Sequence, residues 1–173
     1  FGEVEYETFN AASLKVTVHG LSTHPGGAKG VMKNASLIAM EYASLLPEEE
    51  RPEKTEGYEG FFHLTSMSGQ VEHAELDYIL RDHDAAILER RKDDARRAAE
   101  EINRRYGTGT VDVKILDSYR NMAEMIRPHW HLIETAYEAV REAGGNPTSI
   151  PVRGGTDGSR LSYMGLPCPN LAT

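Results

Sequence analysis

Histidine is the side chain in this sequence best suited to acid–base or metal chemistry, and the chain contains seven of them. A hydrolytic metal centre needs three or more ligands and an open position, yet no histidine falls in an HExxH motif or another strong metal spacing. His129 and His131 would point to different faces of a helix, so an exposed helix start explains them better than a metal pair. Surface or edge positions near a hairpin explain His63, His73 and His83. The sequence therefore predicts no metal ligand.

His24 differs from the others because it follows a strand-like segment and stands in a glycine-rich loop, residues 20–30. Glycines let backbone or ligand approach closely, so an imidazole here could donate a hydrogen bond to a carbonyl oxygen that becomes negative. On spacing alone, an ordinary turn histidine is the better explanation. The loop is not a phosphate loop, because it lacks the Gly-Lys-Ser/Thr ending.

Two arginines are candidates for binding an anion. Arg81 ends a strand-like segment just before Asp82 and Asp84, and a surface salt bridge with either carboxylate is an equally good explanation. Arg153 precedes a Gly-Gly pair, and an arginine beside exposed backbone N–H groups suits carboxylate recognition. A structural turn formed by Gly-Gly-Thr-Asp-Gly is the alternative for Arg153.

Length, charge and cysteine content restrict the class of protein. The 173 residues suit one or two small domains that can bury a core. A net charge of -8, from 19 basic and 27 acidic side chains, argues against nucleic acid and against an anionic membrane surface as partners. Cys168 is the single cysteine and is better explained as a buried structural thiol than as a nucleophile, which favours a reducing, cytoplasmic setting. Because the chain begins with Phe1 and ends in an apolar stretch, we expect it to be cut from a longer protein.

Hydrophobic periodicity predicts the elements that position these candidates. Apolar residues at helical spacing predict one helix from Val31 to Pro47 and another from Asp84 to Gly107. The predicted strands are 14–18, 61–67, 74–80 and 111–115. The order β-α-β-β-α-β over residues 11–117 is typical of a ferredoxin-like antiparallel sheet with two helices on one face. In that fold we expect four strand residues to be buried beneath three helix residues. The strand residues are Leu76, Tyr78, Val111 and Val113, and the helix residues are Ile38, Tyr42 and Ala98.

The pattern changes after residue 120. Pro128 is typical of a helix start, and an apolar stripe continues to Gly144. A short strand at 150–152, a short helix at 159–164 and a last apolar strand after Asn170 follow. Alternating strand and helix indicate α/β packing, whose sheet needs more strands than this part supplies. The predicted fold class is α+β, a ferredoxin-like βαββαβ domain followed by part of an α/β domain.

Seven segments together resemble the peptidase T family, the tripeptide aminopeptidases of the co-catalytic di-zinc metallopeptidases that also include aminoacylases. The segments are Phe9–Ser13, Thr23–Gly30, Thr55–Gly60, Ile79–Asp82, Asp117–Met122, Arg153–Gly158 and Met164–Asn170. The resemblance runs in order from Glu3 to Thr173. The chain departs from the family at Gly27, where we expect Thr, and at Ala172, where a larger residue is usual.

The resemblance implies three parts: residues 1–10 end a preceding catalytic segment, residues 11–120 form a lid and dimerisation domain, and residues 121–173 are a partial α/β catalytic domain. It also implies two zinc ions in the complete enzyme. Their ligands and the general-base glutamate are expected outside this chain. We therefore expect the chain by itself to hold no zinc and to have no peptidase activity.

Individual site residues also follow from the resemblance. It implies that His24 polarises the scissile carbonyl, while Arg81, Asn121 and Arg153 bind the C-terminal carboxylate or backbone of a tripeptide that loses its N-terminal residue. A homodimer through an edge strand of the lid is expected, because such an edge has unpaired backbone groups. The alternative is a non-enzymatic ferredoxin-like module for dimerisation or small-molecule binding. An RNA-binding ferredoxin-like domain is disfavoured by Glu75, Asp77 and the net charge.

Overall fold

The computed structural model describes residues 2–172. Phe1 and Thr173, the outer ends of the predicted first and third parts, lie outside the described residues, as does the side chain of Ala172. The strands are β1 (Glu3–Glu5), β2 (Asn10–His19), β3 (Phe61–Gly69), β4 (His73–Asp82), β5 (Val111–Tyr119) and β6 (Asn170–Ala172). The α-helices are α1 (Ala35–Leu45), α2 (Ala85–Tyr106), α3 (Ala123–Ile126), α4 (His131–Glu142) and α5 (Asp157–Tyr163).

Four strands form an antiparallel sheet in the order β3-β4-β2-β5. The central strand β2 pairs with β4 along its whole length, from Asn10 opposite Asp82 to His19 opposite His73. Helices α1 and α2 pack against the same face of this sheet. The predicted ferredoxin-like βαββαβ arrangement is confirmed, and we call residues 10–119 the helix–sheet unit.

Alternating apolar residues of the strands build the core of this unit. Leu14, Val16 and Val18 of β2 are at most 1% exposed. The hydroxyl of Tyr42 donates a hydrogen bond to the Ala95 carbonyl at 3.1 Å, which ties the two helices together above the sheet. The predicted burial of Leu76, Tyr78 and Val111, and of Ile38, Tyr42 and Ala98 above them, is confirmed. Val113 was also expected to be buried and is only partly so, because β5 is an edge strand.

Capping residues set the ends of the two helices. The prediction that the first helix begins at Val31 is wrong, because the Asn34 side chain accepts the Leu37 N–H at 3.3 Å and starts α1 at Ala35. The predicted cap at Asp84 is confirmed, since its carboxylate accepts the N–H of Ala86 at 2.7 Å. Gly107, at φ 107, ends α2.

The remaining residues form a smaller second part around a core of its own. Strands β1 and β6 pair antiparallel, and the core consists of Val4, Met122, Ile126 and Ile133. The ring of Trp130, the only tryptophan, packs edge-on against Tyr6 with 4.9 Å between ring centres.

Three boundaries in this part differ from those predicted. No strand forms at residues 150–152 within the described chain, where Val152 makes only an isolated bridge to Thr8 and Ile150 is 58% exposed. Pro128 lies at the start of a short 3-10 helix (Arg127–His129) and not of an α-helix, since α4 begins at His131. The predicted helix at 159–164 is α5, which begins two residues earlier because Thr156 caps it. No helix within residues 2–172 has both the length and the apolar character needed to cross a membrane.

Replacement of a core leucine tests the sheet core. Leu76 is fully buried, so Leu76→Ala should lower the free energy of unfolding by about 3 kcal/mol through lost contacts and a residual cavity. The matched control is Leu116→Ala on β5, where the side chain is 55% exposed and the change should stay within about 0.5 kcal/mol. Urea unfolding followed by circular dichroism measures both. Equal losses for the two variants would contradict this assignment of the core.

Candidate functional site

Three of the four predicted site residues meet at one end of the sheet. Arg81 pairs with Ala11 of β2 and with Phe61 of β3 near the end of β4. Asn121 follows β5 directly, and its N–H donates to the Asn10 side chain at 2.9 Å. Arg153 reaches this end from the second part, 5.7 Å from the centre of the Phe61 ring. We call this region the junction, because it joins the helix–sheet unit to the second part.

Arg81 points along the sheet face that carries no helix. Its Nη1 donates to the Leu80 carbonyl at 3.0 Å, and its guanidinium carbon lies 5.1 Å from the centre of the Tyr119 ring. Burial lowers the pKa of Arg81 from its ordinary value, and burial raises the pKa of Tyr119. No ion pair joins Arg81 to Asp82 or Asp84 within residues 2–172, so the surface salt bridge considered for Arg81 is not formed.

Asp82 instead belongs to a buried ion-pair network. Its carboxylate pairs with Arg91 of α2, and these two side chains are 4% and 5% exposed. Arg91 also pairs with Glu50 at 2.9 Å. A Cβ at Gly60 would lie 2.2 Å from Oδ2 of Asp82, so only glycine lets the 55–60 segment pass here. The network holds the end of β4 against α2. It thereby fixes the backbone position of Arg81, whose side chain lies on the opposite face of the sheet.

Asn121 connects three segments of the chain. Its Oδ1 accepts the N–H groups of Thr8 and Ala123, each at 3.0 Å. Its Nδ2 donates to the His83 carbonyl at 3.2 Å, and its own carbonyl accepts the Tyr163 hydroxyl at 3.0 Å. The side chain therefore fixes the start of α3 relative to the sheet, and one amide hydrogen is left over.

Arg153 holds the 55–60 segment. Its Nη1 donates to the carbonyls of Gly57 at 2.9 Å and Glu59 at 2.7 Å. Its Nη2 donates to the Thr55 hydroxyl at 2.9 Å and to the Thr55 carbonyl at 3.2 Å. The guanidinium carbon also lies 5.3 Å from the centre of the Phe9 ring. The Gly-Gly-Thr-Asp-Gly segment after Arg153 forms a structural turn, the alternative considered for it above. Its Thr156 caps the start of α5.

His24 is not brought to the junction. Its imidazole is exposed, and Nδ1 accepts the Gly26 N–H at 3.2 Å. The loop that carries it follows His19, the residue of β2 farthest from Arg81. Eight strand residues at about 3.3 Å each put the two ends of the sheet roughly 26 Å apart. A Cβ at Gly27 would meet nothing within 4 Å, so there is open space where the family is expected to have threonine.

No metal site is found in the part of the chain that the structure describes. Nowhere in residues 2–172 do three or more His, Cys, Asp or Glu side chains come together so that they could hold a metal ion. His129 and His131 have ring centres 6.2 Å apart. Residues 2–172 therefore do not form a zinc site by themselves, and we derive no step through a metal.

His83 is a junction residue that the sequence reading placed at a surface or edge. Its ring is half-buried between Phe9 and Tyr58, at 4.3 Å and 5.0 Å between ring centres. Nδ1 lies 3.2 Å from the Thr8 carbonyl, so it carries the proton and donates. Nε2 is buried and has no hydrogen-bond partner among residues 2–172. Burial lowers the pKa of His83 below its ordinary value.

A cleft opens beside the junction. Its volume is about 1050 Å³. It is lined by residues 118–120, at and just after the end of β5, and by residues of the segment between Gly155 and Met164. The Tyr119 ring packs directly on Gly155, where a Cβ would lie 2.4 Å from the ring. A concave surface of this size, with aromatic walls and a few polar groups, is typical of a small-molecule site.

Comparison with known proteins identifies the helix–sheet unit. The model of the peptidase dimerisation domain matches residues 6–107. The chain belongs to this family. A curated relative, Peptidase T of Caldanaerobacter subterraneus subsp. tengcongensis, is 52% identical over 172 residues, which are 99% of this chain and 42% of the relative. The predicted resemblance to the peptidase T family is confirmed, and the chain spans less than half the length of that relative.

Two solved structures share the fold of this chain. The aminopeptidase PepT of Bacillus cereus superposes with a TM-score of 0.81 at 20% identity, over 99% of this chain and 45% of that one. A tripeptidase of Staphylococcus aureus superposes with a TM-score of 0.76 at 18% identity, over 97% and 44%. At such low identity these likenesses show the fold alone.

The pH dependence of stability tests the environment of His83. Because burial lowers its pKa, the unfolded chain binds the proton more readily than the folded protein. Stability is therefore full above the ordinary histidine pKa of about 6.5 and falls as the pH decreases below it. We expect His83→Gln to lose less free energy of unfolding than the wild type between about pH 7 and pH 5.

The matched control for His83 is His63→Gln, which removes an exposed imidazole from β3. This variant removes a histidine but leaves the surroundings of His83 unchanged, so it should keep the part of the pH dependence that His83 causes. Urea unfolding at several pH values gives the three curves. If His83→Gln follows the wild-type curve, the proton on His83 does not oppose folding.

Proposed function

We propose that the complete protein is a zinc-dependent tripeptidase that releases the N-terminal residue of tripeptides, and that this chain supplies its lid and substrate-binding residues. The observation that carries the proposal is the 52% identity to Peptidase T over 172 residues. The cleft beside the junction supports it, because its volume suits a short peptide. The single cysteine fits a cytoplasmic location, which we also propose.

In this proposal residues 11–120 are the lid, and residues 1–10 and 121–173 belong to the catalytic half. The antiparallel pairing of β1 with β6 supports grouping the two outer segments, because it joins residues 3–5 to residues 170–172. The two zinc ions are assigned to ligands outside this chain. The chain on its own is then inactive, since a hydrolytic zinc centre needs its full ligand set.

The proposed substrate contacts are Arg81, Asn121 and Arg153. Arg153 and Asn121 now donate to carbonyl groups of the chain itself, which are the kind of acceptor that a peptide backbone or carboxylate offers. Arg81 has donors beyond those given to Leu80 and Ala12. Substrate binding at the junction would thus replace internal hydrogen bonds with peptide hydrogen bonds.

His24 is proposed as the residue that polarises the scissile carbonyl. An extended tripeptide is only about 10 Å long, which is far less than the distance of roughly 26 Å between the two ends of the sheet. One tripeptide therefore cannot contact His24 and Arg81 of the same chain. The two residues act on one substrate only if His24 comes from a second copy of the protein.

A homodimer is accordingly part of the proposal, in keeping with the dimerisation domain match. Strand β3 is a sheet edge, and its Leu64 and Met67 are 38% and 37% exposed. On α1, which packs beside β3, Leu37 is 61% and Met40 is 57% exposed. An unpaired strand edge next to exposed apolar helix residues is a surface suited to self-association.

Charge substitution tests this dimer surface. Leu37→Lys combined with Met67→Lys should shift the protein to monomer, because two like charges per copy would be buried in the contact. Leu116→Lys on the opposite edge β5 is the matched control, since that side chain is 55% exposed, and it should leave the dimer intact. Sedimentation velocity over a range of concentrations measures the result. Dissociation by Leu116→Lys alone would assign the contact to β5 instead.

Kinetics of the complete enzyme test the proposed function. Arg81→Ala and Arg153→Ala should each lower kcat/KM for a tripeptide about 30-fold or more, as for loss of a charged hydrogen-bonded contact. The loss should be much smaller for the C-terminal amide of the same tripeptide, which lacks the carboxylate. His24→Ala should lower kcat about a hundredfold, as for a lost oxyanion donor, and leave the zinc content unchanged.

Arg97→Ala on the exposed face of α2 is the control for these variants and should keep full activity. Equal losses on the acid and the amide would show that the arginines do not read the carboxylate. A complete protein that holds no zinc and cleaves no tripeptide would instead favour the non-enzymatic dimerisation module.

A further inference from the structure

Arg81, Ala11 and Tyr119 form one row across three strands of the sheet. Ala11 of the central strand β2 is the partner of Arg81 on β4 and of Tyr119 on β5. Partners in such a row point to the same face of the sheet, which here is the face without helices. Strands β4 and β5 are about 10 Å apart, because β2 lies between them. The Arg81 side chain spans this distance over the methyl group of Ala11, and its guanidinium carbon lies 5.1 Å from the centre of the Tyr119 ring.

The small residue at position 11 makes this contact possible. Ala11 is 1% exposed, so the space above its methyl group is already filled. A longer side chain there would occupy the path that the Arg81 side chain takes across β2. The next residue on the same face of β2, Ser13, is exposed and lies between Ile79 and Leu116. Position 11 therefore has a steric requirement that position 13 does not share.

A bulge in β5 gives Tyr119 its orientation. Asp117 pairs with Ala12 while Tyr119 pairs with Ala11, so the residue between them on β5 has no partner on β2. The Asp117 side chain faces α2, where it forms an ion pair with Lys92. In a regular strand, residues two apart face the same side, and Tyr119 would also face α2. The bulge turns the ring to the opposite face, and bulges are frequent next to active sites, where they redirect a side chain.

The glycine loop of the second part also packs against the Tyr119 ring. A Cβ at Gly155 would lie 2.4 Å from a ring carbon, so the loop contacts the ring directly and only glycine fits there. Gly155 is two residues after Arg153 in the chain. Tyr119 therefore contacts both Arg81 of the helix–sheet unit and the loop that begins at Arg153.

We propose that Tyr119 is a positioning residue that holds the Arg81 guanidinium ready for the C-terminal carboxylate of the peptide, with Ala11 as the small residue over which Arg81 reaches it. The inference rests on the proposed function, because it requires Arg81 to bind substrate. An arginine side chain loses rotamer freedom when a ligand fixes it, and a guanidinium already held against a ring loses less. Tyr119 acts through Arg81 and not on the reacting bond.

The test compares trialanine with trialanine amide on the complete enzyme. Tyr119→Leu should raise KM for the free acid about fivefold, as for loss of a partly buried cation–π contact. It should leave kcat, and KM for the amide, at the wild-type values. Tyr119→Phe keeps the ring face and should restore the wild-type KM. Equal rises for acid and amide, or a loss in Tyr119→Phe as large as in Tyr119→Leu, would overturn the proposal.

A second variant leaves the tyrosine and its contact with the glycine loop in place. Ala11→Val adds two methyl groups in the path of Arg81 and should raise KM for the acid alone, as Tyr119→Leu does. Ser13→Val is the matched control, since it makes a similar change at the exposed position on the same face, and it should change neither KM value. Identical KM values for the Ala11→Val and Ser13→Val enzymes would contradict the assigned path of Arg81.

A double-mutant cycle separates positioning from packing. In the Arg81→Ala background, Tyr119→Leu should raise KM for the free acid no further, because the residue through which the ring acts is gone. A ring that only supports the glycine loop would keep its effect in that background. A further fivefold rise there would therefore overturn the proposal.

Nuclear magnetic resonance of this chain separates the inference from the proposed function, because it needs no peptide. The Nε–H proton of Arg81 should be shifted upfield by the Tyr119 ring in the wild type and in Tyr119→Phe, and lose this shift in Tyr119→Leu. If that result accompanies a complete enzyme that cleaves neither peptide, the tripeptidase proposal fails while Tyr119 still holds Arg81. The same Arg81 resonance in the wild type and in Tyr119→Leu would overturn the inference itself.

Discussion

The register of β2 between β4 and β5 is the constraint on which the rest of the structure depends. A shift of one residue would turn Leu14, Val16 and Val18 from the core to the solvent. The hydrophobic cost of that change fixes the register on both sides of the strand. The same register sets Asn10 opposite Asp82 and brings the end of β5 to Ala11. The core of the sheet therefore determines which polar residues gather at the junction.

Polar contacts at the junction then fix the position of the second part relative to the helix–sheet unit. Asn121, Arg153 and the Asp82–Arg91 pair satisfy backbone and carboxylate groups that would otherwise be buried without partners. Unsatisfied polar groups of this kind are costly, so an arrangement that satisfies most of them is specific. Three buried atoms here find no hydrogen-bond partner among residues 2–172: Nε2 of His83, Nε of Arg91 and Oε2 of Glu50. The network is therefore incompletely satisfied at these points.

The sequence was sufficient for the helix–sheet unit because its signals are local and strong. Period-two alternation in β2 and β4 and the cap at Asp84 each predict their element without tertiary information. The boundary at Val31 was wrong because the apolar pattern extends beyond the cap at Asn34. Residues 150–152 are apolar like a strand, yet they form only a bridge to Thr8, and strand pairing cannot be read from the segment alone.

The site was less accessible to sequence reasoning, because its contacts join distant segments. Arg153 reaches Thr55, and Asn121 reaches Thr8, over about a hundred residues of chain in each case. Neither contact has a spacing signal. Sequence context made Arg81 and Arg153 candidates for anion binding, but their proposed roles, and the choice of Asn121, came from the family resemblance. The aromatic residues Phe9, Phe61 and Tyr119 beside the arginines offered a signal, since arginine stacks on aromatic rings. The register of the sheet must be known before these rings can be placed next to the arginines.

The position of Trp130 has a consequence for how the molecule can be observed. It is the only tryptophan, and it packs against Tyr6 in the second part, away from the sheet core. Its fluorescence therefore reports on the packing of that part alone, whereas the amide circular dichroism signal is dominated by the larger helix–sheet unit. Coincident transitions of the two signals are the mark of a single cooperative unit, and separated transitions are the mark of two. The fluorescence of Trp130 can therefore show whether the second part unfolds together with the helix–sheet unit or separately from it.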